Sequence, residues 1–477
     1  MSSLSKEQII DKEIKNKNRL DRLTKHVSTI DIDTVFDPSF NPEMPVVINS
    51  LESENIWIID TIRDSIMHGA FDIDMTKKCF ILNNTQPDRI LNAEIPFSWF
   101  VAYTKNDIFR KKILDKYDYA SIAVLHATKD GINLLMTLGK QDIEEDIDVC
   151  EDTIYRIASI SKVIVALGAM KLVEEGKLDI YEDVSKYLGY TLRNPKYPDK
   201  KITLEQIMTQ SSSITDGFDD PNKGYDAVNG PSMYVPLKEM LTNPNYEYYN
   251  PKTFLDAEPG DKWLYSNFGC GILACIIEKV SGKLFTDYIK EVLLDPLEID
   301  GGFRVEQVKK LDKVASLYDY NDLGYQKLRT KDQFLKIMFP KYPVGDNFRG
   351  PAGGLFISAK DLSKIMIMMM NKGVYNGMRL FKEETILEME KVHYDGYIYD
   401  RQYKAKGLQL CHLPFYTKEP LFGHFGTAYG LKSFMFYNRE NGYIFMCGGS
   451  NYKQIPDRNI SYLQNDVFEY LTKKFEK

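Results

Sequence analysis

The chain has 477 residues, of which 43% are hydrophobic and 27% charged, so it can bury a large core and more than one structural unit. Its formal net charge of −7 gives no basic surface of the kind that binds nucleic acid or an anionic membrane. The N-terminal residues lack the apolar core of a signal peptide, and no apolar run reaches membrane-spanning length. These features favour a cytoplasmic protein without nucleic-acid or membrane partners.

The cysteines form no Cys-x-x-Cys pair and show no metal-ligand spacing with histidine. We interpret them as reduced core residues and expect neither a metal nor a cofactor. They are Cys79, Cys150, Cys270, Cys275, Cys411 and Cys447.

Residues 1–105 are predicted to form an N-terminal extension that is partly helical and carries no motif. A helix is expected over residues 55–68, because Ile59, Ile62 and Ile66 follow helical spacing. Its apolar face must be buried. We expect it to pack on the rest of the chain or on another subunit of a homo-oligomer.

Two apolar runs, from about residue 120 to 125 and from 132 to 136, flank a turn that ends at Gly131, a pattern typical of a β-hairpin. Residues 152–157 are predicted to be extended. The segment 162–176 is rich in apolar residues and ends at a glycine, which predicts a buried helix. Ser159 therefore lies between a strand and the start of a helix.

Ser159 and Lys162 bring a hydroxyl and an amine onto one face of this helix start. Unpaired N–H groups and the helix dipole favour negative charge there, which suits an alkoxide nucleophile or an oxyanion. A serine needs a base within reach, and a lysine becomes a base when burial lowers its pKa. The alternative is a serine that caps an ordinary helix beside a solvated lysine.

Residues from about 177 to 345 alternate short helices with long polar loops, which predicts a mostly helical insertion. Later elements predicted from apolar patterns are a helix over 359–372, strands over 431–437 and 443–447, and a helix from about 457 to 475. We therefore predict an α/β (α+β) fold over residues 106–477. Its antiparallel sheet, flanked by helices, would draw on residues of about 115–160 and 400–450.

Two further motifs lie near predicted element boundaries. Tyr265-Ser266-Asn267 opens an apolar helix, where the tyrosine hydroxyl could move a proton between lysine and serine and the asparagine could donate to a substrate carbonyl. A plain turn is the alternative for this tripeptide.

The second motif, at residues 423–430, precedes a strand and contains His424, Gly426 and Thr427. Gly426 would let substrate approach the backbone, and the N–H of Thr427 could complete an oxyanion hole with that of Ser159. His424 could equally be a structural histidine.

In this order, Ser-x-x-Lys at 159–162, Tyr265-x-Asn267 and His424-x-Gly426 resemble the motifs of the serine β-lactamase and penicillin-binding-protein superfamily, with its β-lactamase/transpeptidase-like fold. The variants are similar to those of the class C-like branch of esterases, DD-peptidases and D-amino-acid peptidases. Residues 202–213 and 350–362 resemble flanking segments of that family. The resemblance covers about residues 115–475.

The resemblance implies that Ser159 is the acylated nucleophile and Lys162 the base that activates it. Tyr265 would protonate the leaving group and help deacylation. The substrate-binding residues that it implies are Asn267, His424, Gly426 and Thr427.

Three positions depart from the commonest family pattern. Gln210 stands where the family has histidine and Ser213 where it has glycine, which puts the shape of that loop in doubt rather than the chemistry. His424 stands where many relatives place a lysine. An exposed histidine with an ordinary pKa of about 6.5 is mostly neutral at pH 7 and favours uncharged esters or amides over penicillins.

We therefore expect a serine hydrolase that acts through an acyl-enzyme on a small ester or amide, of the carboxylesterase or D-amino-acid-peptidase type. One alternative is a scaffold or assembly protein that keeps the fold with reduced catalysis. Another is a true β-lactamase or DD-peptidase.

Overall fold

The computed structural model describes residues 114–477, apart from 218–221, 229–232, 322, 337–340, 397, 399–402, 415, 429, 451–452, 457, 459 and 476–477, together with the backbone of three earlier strands. The chain divides into two compact units, residues 1–112 and 113–477. The described part of the first unit is a three-stranded antiparallel sheet in chain order. Its strands are β1 (Phe71–Asp74), β2 (Cys79–Asn83) and β3 (Asn92–Pro96). The helix predicted over 55–68 lies outside the described residues.

The second unit is built on an eight-stranded antiparallel sheet. One group of strands is β4 (Tyr119–Thr128), β5 (Gly131–Asp142) and β6 (Ile147–Asp148). The other is β13 (Ala405–Lys406), β14 (Cys411–Leu413), β15 (Leu421–Ala428), β16 (Leu431–Tyr437) and β17 (Gly442–Ser450). The strands follow the order β13-β14-β15-β16-β17-β4-β5-β6 across the sheet, which thus joins two distant parts of the chain. The antiparallel sheet predicted from the apolar runs is confirmed.

Short strand pairs lie outside this sheet. They are β7 (Ile154–Arg156) with β10 (Phe356–Ser358), β8 (Leu317–Asn321) with β9 (Gly324–Arg329), and β11 (Val374–Tyr375) with β12 (Met378–Arg379). The first pair matters for the site because β7 leads directly into Ser159.

The helices described in this unit are α1 (Ser161–Glu174), α2 (Val184–Leu188), α3 (Leu204–Thr209), α4 (Gly224–Val228), α5 (Leu237–Thr242), α6 (Asn267–Ser281), α7 (Phe285–Ile289), α8 (Lys331–Lys336), α9 (Ala359–Met370), α10 (Glu383–Glu390) and α11 (Tyr462–Phe475). Eleven residues of α1 are buried, so its near-continuous apolar sequence reflects a helix covered on all sides. Gly168 lets it approach α7, because a Cβ there would lie 2.3 Å from the side chain of Ile289.

Helices cover both faces of the large sheet. The Met366 and Met370 side chains of α9 approach β17 where Gly442 leaves room for them. From α11, Phe468 contacts a ring cluster on β15–β17 that includes Phe425, Phe434 and Tyr443. This aromatic packing holds β15, the strand that contains His424 and Gly426, against α11.

The predicted helical insertion also contains a hairpin, β8–β9, that the sequence analysis did not predict. Its tyrosines alternate with polar residues, and Tyr320 pairs with Tyr325 across the turn. The alternation has the period of a strand, but the segment contains as many polar residues as a typical loop, so the hairpin was not predicted. Asp142 of β5 anchors the hairpin by accepting hydrogen bonds from Ser316 Oγ at 2.6 Å and Lys327 Nζ at 2.9 Å.

Five cysteines lie among the residues whose side chains are described, and all five are free thiols. Four of them are buried as expected, whereas Cys150 is partly exposed. In the part of the chain that the structure describes, no helix combines the length and the apolar character that a membrane crossing requires.

Candidate active site

Ser159 lies in a 3₁₀ turn, Ala158–Ile160, between β7 and α1. Ala158 and Ile160 are fully buried, whereas Ser159 is partly exposed. Ala158 has φ of +54°, a left-handed conformation that a non-glycine residue keeps only where its surroundings impose it. The turn is therefore held in a strained shape that leaves the serine side chain within reach of a substrate.

Strand β15 packs directly against this turn. A Cβ on Gly426 would lie 2.7 Å from the carbonyl oxygen of Ile157 and 2.2 Å from Ser433 Oγ, so only glycine fits. Ser433 Oγ in turn donates to Ile157 O at 3.2 Å. The approach of substrate at Gly426 stays a prediction, and the structure adds a packing requirement for this glycine.

Lys162 is completely buried, which excludes the solvated lysine considered from the sequence. Its Nζ contacts Asn267 Oδ1 at 2.8 Å, Ala352 O at 2.8 Å and Ser159 Oγ at 3.0 Å. The first two atoms can only accept, so they hold two N–H groups of the lysine. The contact to Ser159 Oγ is then made either by a third N–H of an ammonium or by the lone pair of a neutral amine.

Tyr265 approaches the same oxygen from another direction. Its hydroxyl donates to Ser159 Oγ at 2.6 Å, and Lys162 Nζ lies 4.8 Å from the centre of its ring. Burial raises the pKa of Tyr265 above its ordinary value, and the hydrogen bond to Ser159 offsets only part of this rise. The phenol is therefore protonated at neutral pH and can serve as a proton donor. The plain turn considered for Tyr-Ser-Asn is not observed, because Ser266 is extended and Asn267 begins α6.

Asn267 is the first residue of α6 and bridges the side chains of Lys162 and Asp216. Its Oδ1 accepts from Lys162, and its Nδ2 donates to Asp216 Oδ2 at 2.8 Å. Ser266 caps the helix, because its Oγ accepts from the N–H of Gly269 at 2.9 Å. The motif thus combines a helix cap with a side chain that reaches the lysine.

His424 is only 2% exposed, so the expectation of an exposed histidine is wrong. Its Nδ1 lies 2.5 Å from the carbonyl oxygen of Phe425, which requires a proton on that nitrogen. Burial lowers the pKa of His424 well below 6.5, and the neighbouring lysines Lys406 and Lys162 lower it further. The ring is therefore neutral, and its Nε2 is an acceptor that meets no hydrogen-bond partner among the described residues.

Thr427 follows at the open side of β15. Strand β14 pairs with β15 only from Leu421 to Gly423, whereas β16 pairs with it as far as Ala428. The backbone of residues 424–428 therefore has an edge that β14 leaves uncovered. The side chain of Thr427 is exposed and lies opposite Lys432 of β16.

The loop with the two departures from the family pattern keeps a left-handed backbone at both. Gln210 has φ of +65° and ends α3, and Ser213 has φ of +63°. Glycine adopts this conformation without strain, which explains why it is expected at position 213. Here Ser213 adopts it, and its Oγ accepts from Asn194 Nδ2 at 3.1 Å.

Two contributors to the site were not found from the sequence. Ala352 acts through its carbonyl, which no side-chain pattern reveals. Asp216 follows the flanking segment 202–213 by three residues, and a carboxylate so close to a motif segment was a usable signal.

The remaining described histidines lie in other contacts. His126 stacks on Phe475 with ring centres 3.6 Å apart, and His412 packs edge-on against Phe422. His393 contacts the carbonyl oxygen of Glu388. Among the described side chains, no group of three or more His, Cys, Asp or Glu residues could hold a metal ion.

The family model described as "Beta-lactamase" matches residues 110–447, well over half of the chain. The chain therefore belongs to the beta-lactamase family. This agrees with the superfamily that the three motifs indicated, and the sheet with flanking helices is the corresponding β-lactamase/transpeptidase-like fold.

Among curated relatives, N-acetylmuramyl-L-alanine amidase of Bacillus subtilis (strain 168) is 29% identical over 252 residues, which cover 49% of this chain and 53% of the relative. The chain thus spans about half the length of that protein. Two solved structures share the fold. The octameric penicillin-binding protein homologue from Pyrococcus abyssi has a TM-score of 0.56 at 24% identity, and the match covers 72% of this chain and 73% of the homologue's chain. The D-amino acid amidase from Ochrobactrum anthropi SV3, complexed with D-phenylalanine, has a TM-score of 0.57 at 16% identity, and the match covers 77% of this chain and 97% of the amidase chain.

Proposed function

We propose that this protein is a serine hydrolase that cleaves a small ester or amide through an acyl-enzyme on Ser159. The observation that carries the proposal is the convergence of Lys162 Nζ and Tyr265 Oη on the Oγ of Ser159, at 3.0 Å and 2.6 Å. A partly exposed serine between two proton-transfer groups is the arrangement that nucleophilic catalysis requires.

In the acylation step, Lys162 acts as the base. As a neutral amine it keeps its N–H groups on Asn267 Oδ1 and Ala352 O and directs its lone pair to the hydroxyl of Ser159. The serine oxygen then attacks the carbonyl carbon of the substrate while its proton moves to the amine. The C–O bond that forms produces a tetrahedral oxyanion.

The leaving group departs with a proton from Tyr265, whose raised pKa keeps the phenol protonated. The proton that Lys162 accepted then restores the phenol of Tyr265, because both groups lie beside the same Oγ of Ser159. In deacylation a water molecule attacks the ester of Ser159, and the same pair of residues accepts its proton and restores the serine.

The oxyanion requires donors that are in place before the reaction. The backbone N–H groups of Ser159 and Thr427 are the proposed pair. The tight packing of β15 on the serine turn through Gly426 supports this assignment, because it brings the uncovered edge of the strand to the nucleophile.

The neutral state of His424 bears on the substrate. An acceptor at Nε2 suits a substrate that offers an N–H or O–H group, and it gives no attraction for a free carboxylate. One of the proteins with the same fold is a D-amino acid amidase, which supports small amides alongside esters. We propose that Asn267 also helps to orient the substrate, once Lys162 changes its protonation state.

A substrate panel tests the proposal. Wild-type protein and Ser159→Ala are incubated with p-nitrophenyl acetate, with amino-acid amides of both hands and with penicillins. The proposal expects Ser159-dependent turnover of at least one ester or amide. Turnover confined to penicillins would favour a true β-lactamase, and no Ser159-dependent turnover of any substrate would favour a scaffold with the same fold.

A further inference from the structure

Asp216 is a carboxylate with no exposed surface, and it holds the first residues of α6. Its Oδ1 accepts from the N–H of Phe268 at 2.8 Å and from Ser266 Oγ at 3.1 Å. Its Oδ2 accepts from Asn267 Nδ2 at 2.8 Å. The two oxygens thus receive three hydrogen bonds, and one of these comes from the side chain that touches Lys162.

The contact with Asn267 decides which end of that amide faces the lysine. With Nδ2 held by Asp216, Oδ1 must point to Lys162 Nζ, where it accepts at 2.8 Å. A flipped amide would place Oδ1 against the carboxylate and Nδ2 against the donors of the lysine, and both contacts would be repulsive.

We infer that Asp216 is a positioning residue for the base, acting through the amide of Asn267 on the orientation and protonation of Lys162. The inference rests on the proposed function, because it assumes that Lys162 activates Ser159. The hydrogen bonds of Asp216 go to Ser266, Asn267 and Phe268 rather than to Ser159. Its effect passes along one chain of contacts, from Asp216 to Asn267 to Lys162 to Ser159.

A purely structural role as a helix cap is the competing explanation, and Ser266→Ala is the matched control for it. This change removes the hydroxyl that caps α6 and contacts Asp216, but leaves the bond between Asp216 and Asn267. We expect a lower melting temperature and an unchanged dependence of kcat/KM on pH.

Asp216→Asn reverses the polarity of the chain of contacts. The new amide would turn a donor toward Asn267, which would flip and direct its Nδ2 at Lys162. We expect kcat to fall roughly 10- to 100-fold with little change in KM, because the lone pair is misdirected. The variant lacks the carboxylate at position 216 and directs an N–H of Asn267 at Lys162. Both changes disfavour the ammonium form of Lys162, so the acidic limb of the pH profile of kcat/KM should move to lower pH.

The double variant Asp216→Asn with Asn267→Asp restores the polarity. The amide introduced at position 216 could then donate to the carboxylate introduced at position 267, and that carboxylate could accept directly from Lys162. We expect kcat to recover to within about tenfold of wild type at high pH. The acidic limb should move above its wild-type position, because a carboxylate now contacts the lysine and favours the ammonium.

These experiments use the full chain, with melting temperatures measured for every variant. The inference would be overturned if folded Asp216→Asn kept the wild-type rate and pH profile. It would also be overturned if the folded double variant were no faster than Asp216→Asn. If Asp216→Asn does not fold, the double variant decides alone, and an acidic limb at the wild-type position would contradict the inference. Equal turnover by Ser159→Ala would instead overturn the proposed function, whereas turnover that depends on Ser159 and Lys162 but not on Asp216 would overturn only this inference.

Discussion

The hydroxyl of Tyr265 lies 2.6 Å from the Oγ of Ser159, although the two residues are 106 positions apart in the chain. They are brought together because each lies two residues before the first residue of a buried helix, and these helices, α1 and α6, pack against each other. Lys162 completes the set from the first turn of α1. The nucleophile and its two proton-transfer groups thus depend on one helix–helix contact.

Removal of either Lys162 or Tyr265 should lower kcat roughly 10²- to 10⁴-fold, the usual range for general acid–base groups. The two losses should not add, because both residues serve one proton path. The measurement compares Lys162→Ala, Tyr265→Phe and the double variant. A double variant as slow as the product of the single losses would show that the two act independently.

The burial of His424 changes the pH dependence expected from the sequence. Because its pKa lies well below 6.5, the ring gains no charge between pH 8 and 6. The KM of an acyl substrate with a free carboxylate and that of its methyl ester should therefore keep a constant ratio over this range. A ratio that falls with pH in wild type, but stays constant in His424→Gln, would show a protonated histidine that binds the carboxylate.

Buried neutral histidines should make the protein less stable in acid. Burial lowers the pKa of His126 to about 4, below its ordinary value of 6.5 in the unfolded chain. The unfolded state therefore binds more protons between these pH values, and the free energy of unfolding falls as pH falls, by about 1.4 kcal/mol per pH unit for each such group. Urea titrations at pH 7, 6 and 5 should show a smaller fall in His126→Gln. An equal fall in both proteins would contradict this assignment.

Gly426→Ala should disturb both stability and activity, because the added methyl group meets Ile157 O and Ser433 Oγ. Overpacking of this kind destabilises by about 1 to 3 kcal/mol. The accompanying shift of β15 from the serine turn should lower kcat. Adding Ser433→Gly should recover only part of the loss, since the contact with Ile157 O remains. Wild-type stability and activity in Gly426→Ala would argue against tight packing of β15 on the turn.

The boundary of the N-terminal extension at about residue 105 and the role of the extension remain predictions. Its expected helix with Ile59, Ile62 and Ile66 must bury an apolar face. A protein that begins near Thr104 should therefore aggregate or change its oligomeric state, as measured by light scattering. If the truncated protein were soluble, fully active and unchanged in oligomeric state, the basis for a packing or assembly role would be removed.

The sequence predicted those parts of the molecule that depend on local pattern. The buried helix after Ser159, the strand pair predicted over residues 431–437 and 443–447, and the family all follow from apolar periodicity and motif order. The burial of His424 did not, because it results from β15 lying between α11 and the serine turn. The contacts of Lys162 with Ala352 O and Asn267 join segments that are distant in the chain, and no local pattern records them.

The most direct test of the account is the site at which a fluorophosphonate probe attaches. The account predicts one adduct on wild-type protein, located by peptide mass spectrometry on Ser159. It also predicts much slower labelling in Lys162→Ala and no adduct in Ser159→Ala. An adduct on another residue, or equal labelling of Ser159→Ala, would contradict the assignment of Ser159 as the nucleophile.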